Sequence, residues 1–317
     1  MHLPKANAQS MPMLMARKRT NRPPGCGGGP LFERSNMPFV FSETLDHGTS
    51  HPVVARLIVQ TFDLLKSTSF SEEIRKSILD DLYNASPRLV RCGEIQSKIY
   101  EYCRKEDQKY GVSTDIVPPS IIPHVKGLQQ EIETFLYESK NFLRDFLAII
   151  NVVFGTSFAE ASEFFKGKKK NDSVITWCEK EFGSDDDITK FLLCHKDWIS
   201  EVVSKRNAVE HPNGYSGVLH IKNYELMPDG RLCPPVWHRN DASPRRIDEE
   251  MAELCSRLLQ FAEELVVLIV CRNLAAPFMQ VQGIPAENQN PECPVRFTVG
   301  LRSDEAHKIE KQMRQDK

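Results

Sequence analysis

The stretch 128-LQQEIETFLYESKNFLRDFLAIINVV-153 decides the fold. Its apolar residues Leu128, Ile132, Phe135, Phe142, Phe146, Ile149 and Val153 step by three, four and seven. That spacing puts them on one face of an α-helix. Ser139 lies on the same stripe, and Glu138 and Lys140 flank it. A helix so apolar along one face must pack against others. The chain is therefore read as mainly α, a helical bundle.

Upstream, Asp115 to Pro123 holds Pro118, Pro119 and Pro123, and it is read as a proline-rich linker over 115–124. Before it, an extra N-terminal helical region is expected over 50–114. Val53, Val54, Leu57, Ile58, Phe62 and Leu65 recur at helical spacing. A second helix is expected after Ser71, with Glu72 and Glu73 in its first turn and Ile74, Ile78 and Leu82 on its stripe. A third is expected from Ser86-Pro87, carrying Leu89, Val90, Ile95, Ile99 and Cys103. Residues 1–40 are rich in proline and glycine, with no acid before Glu33, and read as a disordered tail. Arg17-Lys18-Arg19 reads as solvated. The Gly25–Gly29 segment follows no strand, so it is not a phosphate loop. Met37 offers an alternative start, which would leave residues 1–36 outside the protein.

Downstream, Phe158 to Phe165 reads as a short helix, followed by the basic loop Lys166-Gly167-Lys168-Lys169-Lys170. Such a loop is a solvated turn or a phosphate contact. Asp172 to Phe182 gives another short helix around Val174, Ile175 and Trp177. Ser184-Asp185-Asp186-Asp187 then supplies a helix N-cap, where acids suit the dipole. Ile188, Leu192, Ile199, Val202 and Val203 mark that helix's buried face. Pro212 ends it near His211, because the residue before a proline avoids the α conformation. A small β-hairpin is expected at about 217–238, turning at Pro228-Asp229-Gly230. A last long helix runs from about Ile247 to Arg272 through Met251, Leu254, Leu258, Leu265 and Ile269. The C-terminal extension, 276–317, is expected to be partly disordered, with a strand-like run at Val295–Leu301.

The 317 residues are 40% hydrophobic and 26% charged, as in a soluble globular protein. A net charge of −2 exerts no global pull on nucleic acid, so a nucleic-acid site must be a local basic patch. No run approaches the ~20 apolar residues of a membrane span. No secretory signal is present at the start either, and a cytoplasmic location is expected. The nine cysteines are scattered without metal-ligand spacing. Cys103, Cys178, Cys194, Cys255 and Cys271 fall in helical patterns and are expected as free, buried thiols.

The chemistry concentrates in Lys205-Arg206-Asn207-Ala208-Val209-Glu210-His211-Pro212. Asn207 and His211 are four apart and share a helical face. Arg206 and His211 are five apart, so they diverge by about 140° on a regular helix. They converge on one ligand only if the helix end is distorted or a second copy completes the site. Histidine titrates near neutral pH and serves as general acid or base. The arginine fork fits a phosphate and stabilises its developing charge. Asparagine can orient either group. No metal is needed where a ribose 2′-hydroxyl is the nucleophile, and neither a metal nor a cofactor is expected.

Arg206, four residues, then His211 resembles the R-x4-6-H motif of HEPN domains, including the polar residue after the arginine. The resemblance covers about residues 125–273, so that 125–275 would be an HEPN-like bundle with the hairpin inserted before the last long helix. It implies a metal-independent endoribonuclease, with Arg206 on the phosphate, His211 as acid/base and Asn207 assisting. Glu138 and Glu210 are supporting candidates, and Lys168, Lys169, Lys170 and Lys205 are candidate RNA contacts. It further implies a homodimer, RNA as substrate, and a defence or toxin–antitoxin setting with an antitoxin or nucleotidyltransferase partner. The alternative is a non-catalytic helical module that binds RNA, a nucleotide or a protein. In that reading Arg206 pairs with Glu138 or Glu210 and packs its stem on the core, while His211 caps its helix.

Other constellations are weaker. Gly214-Tyr215-Ser216-Gly217 precedes a strand, unlike a nucleophile elbow. His47 and His51 lack a third ligand, and the adjacent Cys194 and His195 face different ways on a helix.

Overall fold

A single 39-residue helix, α2 (Glu72–Tyr110), runs through Pro87. The two helices expected on either side of Ser86-Pro87 are thus corrected to one. An interior proline costs a helix roughly 3 kcal/mol. Here the buried face continues on both sides of it, through Ile78, Leu82, Leu89, Val90, Ile95, Ile99 and Cys103. Each large apolar side chain so buried contributes about 1.5–3 kcal/mol, so the face outweighs the break. Ser86 Oγ also donates to the Leu82 carbonyl at 2.7 Å, in the turn where Pro87 has no N–H.

The structure is a computed structural model that describes residues 47–110, 122–167 and 172–302. The tail with Arg17–Arg19, Gly25–Gly29 and Met37, the prolines Pro118 and Pro119, and the charged C-terminal end lie outside the described residues.

The protein is mainly helical. Among the described residues the first element is a π-helical stretch, Val54–Val59, that continues directly into α1 (Gln60–Leu65). Beyond α2 come α3 (Leu128–Phe154), α4 (Val174–Phe182), α5 (Asp187–Glu210) and α6 (Ile247–Arg272). Helices α2, α3, α5 and α6 form the bundle, with α2 against α3 and α6, and α5 against α3 and α6. The helices before and after 115–124 therefore share one hydrophobic core.

The stripe on α3 is buried from Leu128 to Ile150. Ser139 lies within it because its hydroxyl is satisfied, donating to the Phe135 carbonyl at 2.8 Å and lying 3.4 Å from Cys92 Sγ on α2. The short helix expected at Phe158–Phe165 is a 3-10 turn, Ala161–Phe164. Cys92, Cys103 and Cys178 are buried, whereas Cys194 and Cys271, expected inside, are exposed.

The hairpin between α5 and α6 is more elaborate than two strands. Strands β1 (Leu219–Lys222) and β4 (Val236–Arg239) pair antiparallel, and β5 (Arg245–Arg246) adds a third strand beside β4. At its tip β2 (Glu225–Leu226) pairs with β3 (Leu232–Cys233). The turn there closes on Gly230 at φ 83°, a conformation that glycine adopts without strain. Two strands follow α6: β6 (Met279–Gly283) pairs with β7 (Phe297–Leu301). Residues 279–301 of the C-terminal extension are thus ordered. Gln60 Oε1 accepts from the backbone of Arg296 and Phe297 at 2.6 and 2.8 Å, fastening this hairpin to α1.

Among the described residues, no helix is long and apolar enough to cross a membrane.

Candidate functional site

Helix α5 positions the motif, and both its ends are defined by local chemistry. Asp186 is the N-cap, accepting from the Ile188 N–H at 3.0 Å and from Arg272 Nη1 at 2.7 Å. Burial pushes the Asp186 carboxyl up, but the Arg272 guanidinium and the backbone N–H hold it below its ordinary range. At the other end the helix stops at Glu210. His211 is the C-cap, at φ −131° and ψ 73°, and its N–H donates to the Asn207 carbonyl at 2.9 Å. His211 has thus left the helical conformation, so the 140° divergence of a regular helix no longer applies to it. Its imidazole is exposed and forms no hydrogen bond or ion pair among the described residues.

Arg206 and Asn207 face α3. The side chain of Arg206 is 14% exposed and donates from Nη1 to Glu210 Oε2 at 2.9 Å. Its guanidinium lies 5.3 Å from the ring centroid of Tyr137. Such a contact is worth about 0.5–2 kcal/mol, depending on desolvation. Asn207 Oδ1 accepts from Lys140 Nζ on α3 at 2.8 Å, and the same ammonium lies 4.0 Å from Glu210 Oε2. Two cations therefore share one carboxylate, which leaves a net charge of +1 facing the motif. That balance suits one phosphate.

Glu138 is elsewhere. It accepts from Arg88 Nη1 on α2 at 3.0 Å, and Arg88 also binds Asp145. It makes no ion pair with Arg206: it faces α2, about 160° around the α3 axis from Lys140 two residues later. The polar group that α3 brings to the motif is Lys140, which the sequence marked only as a flank of the stripe.

Lys205 points into the protein. It is 4% exposed, donates to Glu250 Oε1 on α6 at 2.6 Å, and lies 4.5 Å over the ring of Trp237. Trp237 Nε1 donates to the other Glu250 oxygen. The expectation that Lys205 contacts RNA is corrected: its ammonium is already paired and desolvated. Lys168, Lys169 and Lys170 lie outside the described residues. Lys166, at the start of that basic run, places its ammonium 4.7 Å over the ring of Tyr215.

The remaining constellations are accounted for by packing. His195 accepts from Trp198 Nε1 at 2.8 Å and packs tilted against the Phe191 ring, and burial lowers its pKa. His51 Nδ1 accepts from the Val53 N–H at 3.2 Å. No group of three metal-ligating side chains occurs among the described residues. A cavity of about 520 Å³ lies at the N-terminal end of α3, lined by His124, Val125, Leu128 and Asn223. Its lining reaches along α3 to Glu133, seven residues and about 10 Å before Lys140, and includes no residue of the motif.

Comparison with family models, curated proteins and solved structures found no match for this chain.

Proposed function

We propose that the protein is a metal-independent RNA endonuclease of HEPN type, acting as a homodimer on RNA. The observation that supports this reading is the meeting of Lys140, Arg206 and Asn207 at the end of α5, directly before an exposed His211. In the reaction a histidine takes the proton of a ribose 2′-hydroxyl, and the 2′-oxygen attacks the adjacent phosphorus. The bond to the 5′-oxygen breaks, and that oxygen leaves with a proton from a second acid. The products are a 2′,3′-cyclic phosphate and a 5′-hydroxyl. Arg206 and Lys140 balance the charge that develops on the phosphate oxygens. One His211 serves one proton transfer at a time, so two copies of the motif in a dimer supply base and acid. The defence or toxin–antitoxin setting, with an antitoxin or nucleotidyltransferase partner, rests on the resemblance of the motif.

The test is cleavage of a mixed RNA pool in EDTA. Wild-type protein cuts it. His211→Ala abolishes cutting at an unchanged melting temperature, because the side chain is exposed. An intact RNA pool, or a variant that cuts like the wild type, sinks the reading.

One observation favours a second reading, a non-catalytic helical module. Arg206 already binds Glu210 and lies against Tyr137. Were that its whole role, Arg206→Ala would lower stability by about 1 kcal/mol while RNA cleavage by the wild type was absent.

A further inference from the structure

Tyr215 is 96% exposed, the most exposed of the large hydrophobic residues among those described. It does not hang on a loose loop. The Gly214 N–H donates to the His211 carbonyl at 2.9 Å, the Gly217 N–H to the Gly214 carbonyl at 3.0 Å, and the Asn213 N–H to the Gly217 carbonyl at 3.1 Å. Asn213 and Gly217 hold φ values of 64° and 80°. A Cβ at Gly217 would stand 1.9 Å from Asn240 Oδ1, which itself accepts from the Val218 N–H at 2.9 Å. This closed turn begins at His211 and is anchored by Asn240, just past β4, and by Arg239 at the end of β4, which donates to the Ser216 carbonyl at 3.3 Å. It spends backbone strain and a required glycine to hold an aromatic ring in solvent, where burial contributes nothing.

The ring also has a cation. Lys166 reaches it from another part of the chain, with Nζ 4.7 Å from the centroid. At 96% exposure the tyrosine is barely covered by that contact, so a ring face remains open. An open aromatic face beside an ammonium is the pairing by which proteins hold single-stranded nucleic acid: a base stacks on the ring, and the cation takes the neighbouring phosphate. The four residues from His211 to Tyr215 span at most about 14 Å, within reach of a few nucleotides of one strand.

We infer that Tyr215 is a stacking platform for an unpaired nucleobase of the RNA cut at His211, with Lys166 on the phosphate beside it. This rests on the proposed endonuclease reading and narrows its substrate to single-stranded RNA. A duplex keeps its bases stacked on one another and offers none to the ring.

The test uses the full chain and a probe that cannot be cut, a single-stranded 2′-O-methyl RNA oligonucleotide, beside a blunt duplex of the same sequence. Affinities are read by fluorescence anisotropy. Tyr215→Ala weakens binding of the single strand by about 5- to 100-fold, the loss of one stacked base. Tyr215→Trp retains it, and duplex binding is the same in all three proteins. Melting temperatures are compared to show that the turn is intact. Equal single-strand binding by Tyr215→Ala and wild type overturns the platform, as does an equal loss of single strand and duplex. If those results come from a protein that still cuts RNA, only the platform falls. If the wild type neither cuts RNA nor binds the single strand, the endonuclease reading falls with it.

Discussion

Lys140 on α3 donates to Asn207 on α5 at 2.8 Å, a direct hydrogen bond between the α3 helix and the polar end of the motif. The same ammonium lies 4.0 Å from Glu210 Oε2, the oxygen that Arg206 also binds. If the proposed chemistry holds, Lys140 positions Asn207 and adds charge at the phosphate. Lys140→Ala should then slow single-turnover RNA cleavage by about 10- to 100-fold, the scale of one charge-assisted hydrogen bond. Lys140→Arg should recover most of the rate. Glu138→Gln should leave cleavage unchanged and lower stability by about 1 kcal/mol, since Glu138 serves Arg88. Wild-type cleavage by Lys140→Ala would remove Lys140 from the mechanism.

The pair of Lys205 and Glu250 makes a prediction about stability alone. Both residues are at least 95% buried, and Trp237 donates to the same carboxylate. Removing Lys205 leaves the buried Glu250 with only Trp237 and the largely exposed Arg245, whose Nη1 lies 3.5 Å from Oε1, and breaking a buried pair costs about 3–5 kcal/mol. Lys205→Met should therefore lower the unfolding free energy in urea by that amount. Replacing both, as Lys205→Met with Glu250→Gln, should recover part of the loss, because no lone charge remains. A single variant as stable as the wild type would show that the pair is not desolvated.

Asp186 gives a pH dependence. Its pKa is lowered in the folded protein, burial being outweighed by Arg272 and the Ile188 N–H. Its contribution is then fully present above the unfolded value and is lost as pH falls through the lower folded one. At pH 7 Asp186→Ala should cost about 1 kcal/mol, the usual worth of an N-cap. That difference should shrink below about pH 4, where the unfolded carboxyl protonates. Urea midpoints of wild type and variant from pH 7 to 3 measure it, and a gap that stays constant would contradict the assignment.

Much of the scaffold is legible from local rules. The period of the α3 stripe, the stop at Pro212, the acids before α5 and the turn at Gly230 each follow from interactions within a few residues. The motif's own geometry was half legible: Asn207 and His211 share a helical face in the sequence, but only the structure shows that His211 has left the helix. The strand β6 was missed because Met279–Gly283 alternates weakly, and its identity depends on pairing with β7, fourteen or more residues away.

The sequence by itself determined that the chain is a bundle, where α5 ends, and which residue types stand there. Only the tertiary structure decided which of them meet. Glu138 and Lys140 flank the same stripe two residues apart and point about 160° from each other. One must face α2 and the other α5, and the rotation of α3 about its axis selects which. That rotation is set by how all the buried faces fit together, with Phe142, Phe146 and Ile149 in the core. No local pattern carries it. Hence Arg88 takes Glu138, Asn207 takes Lys140, and Lys205, one position before Arg206, turns inward to Glu250.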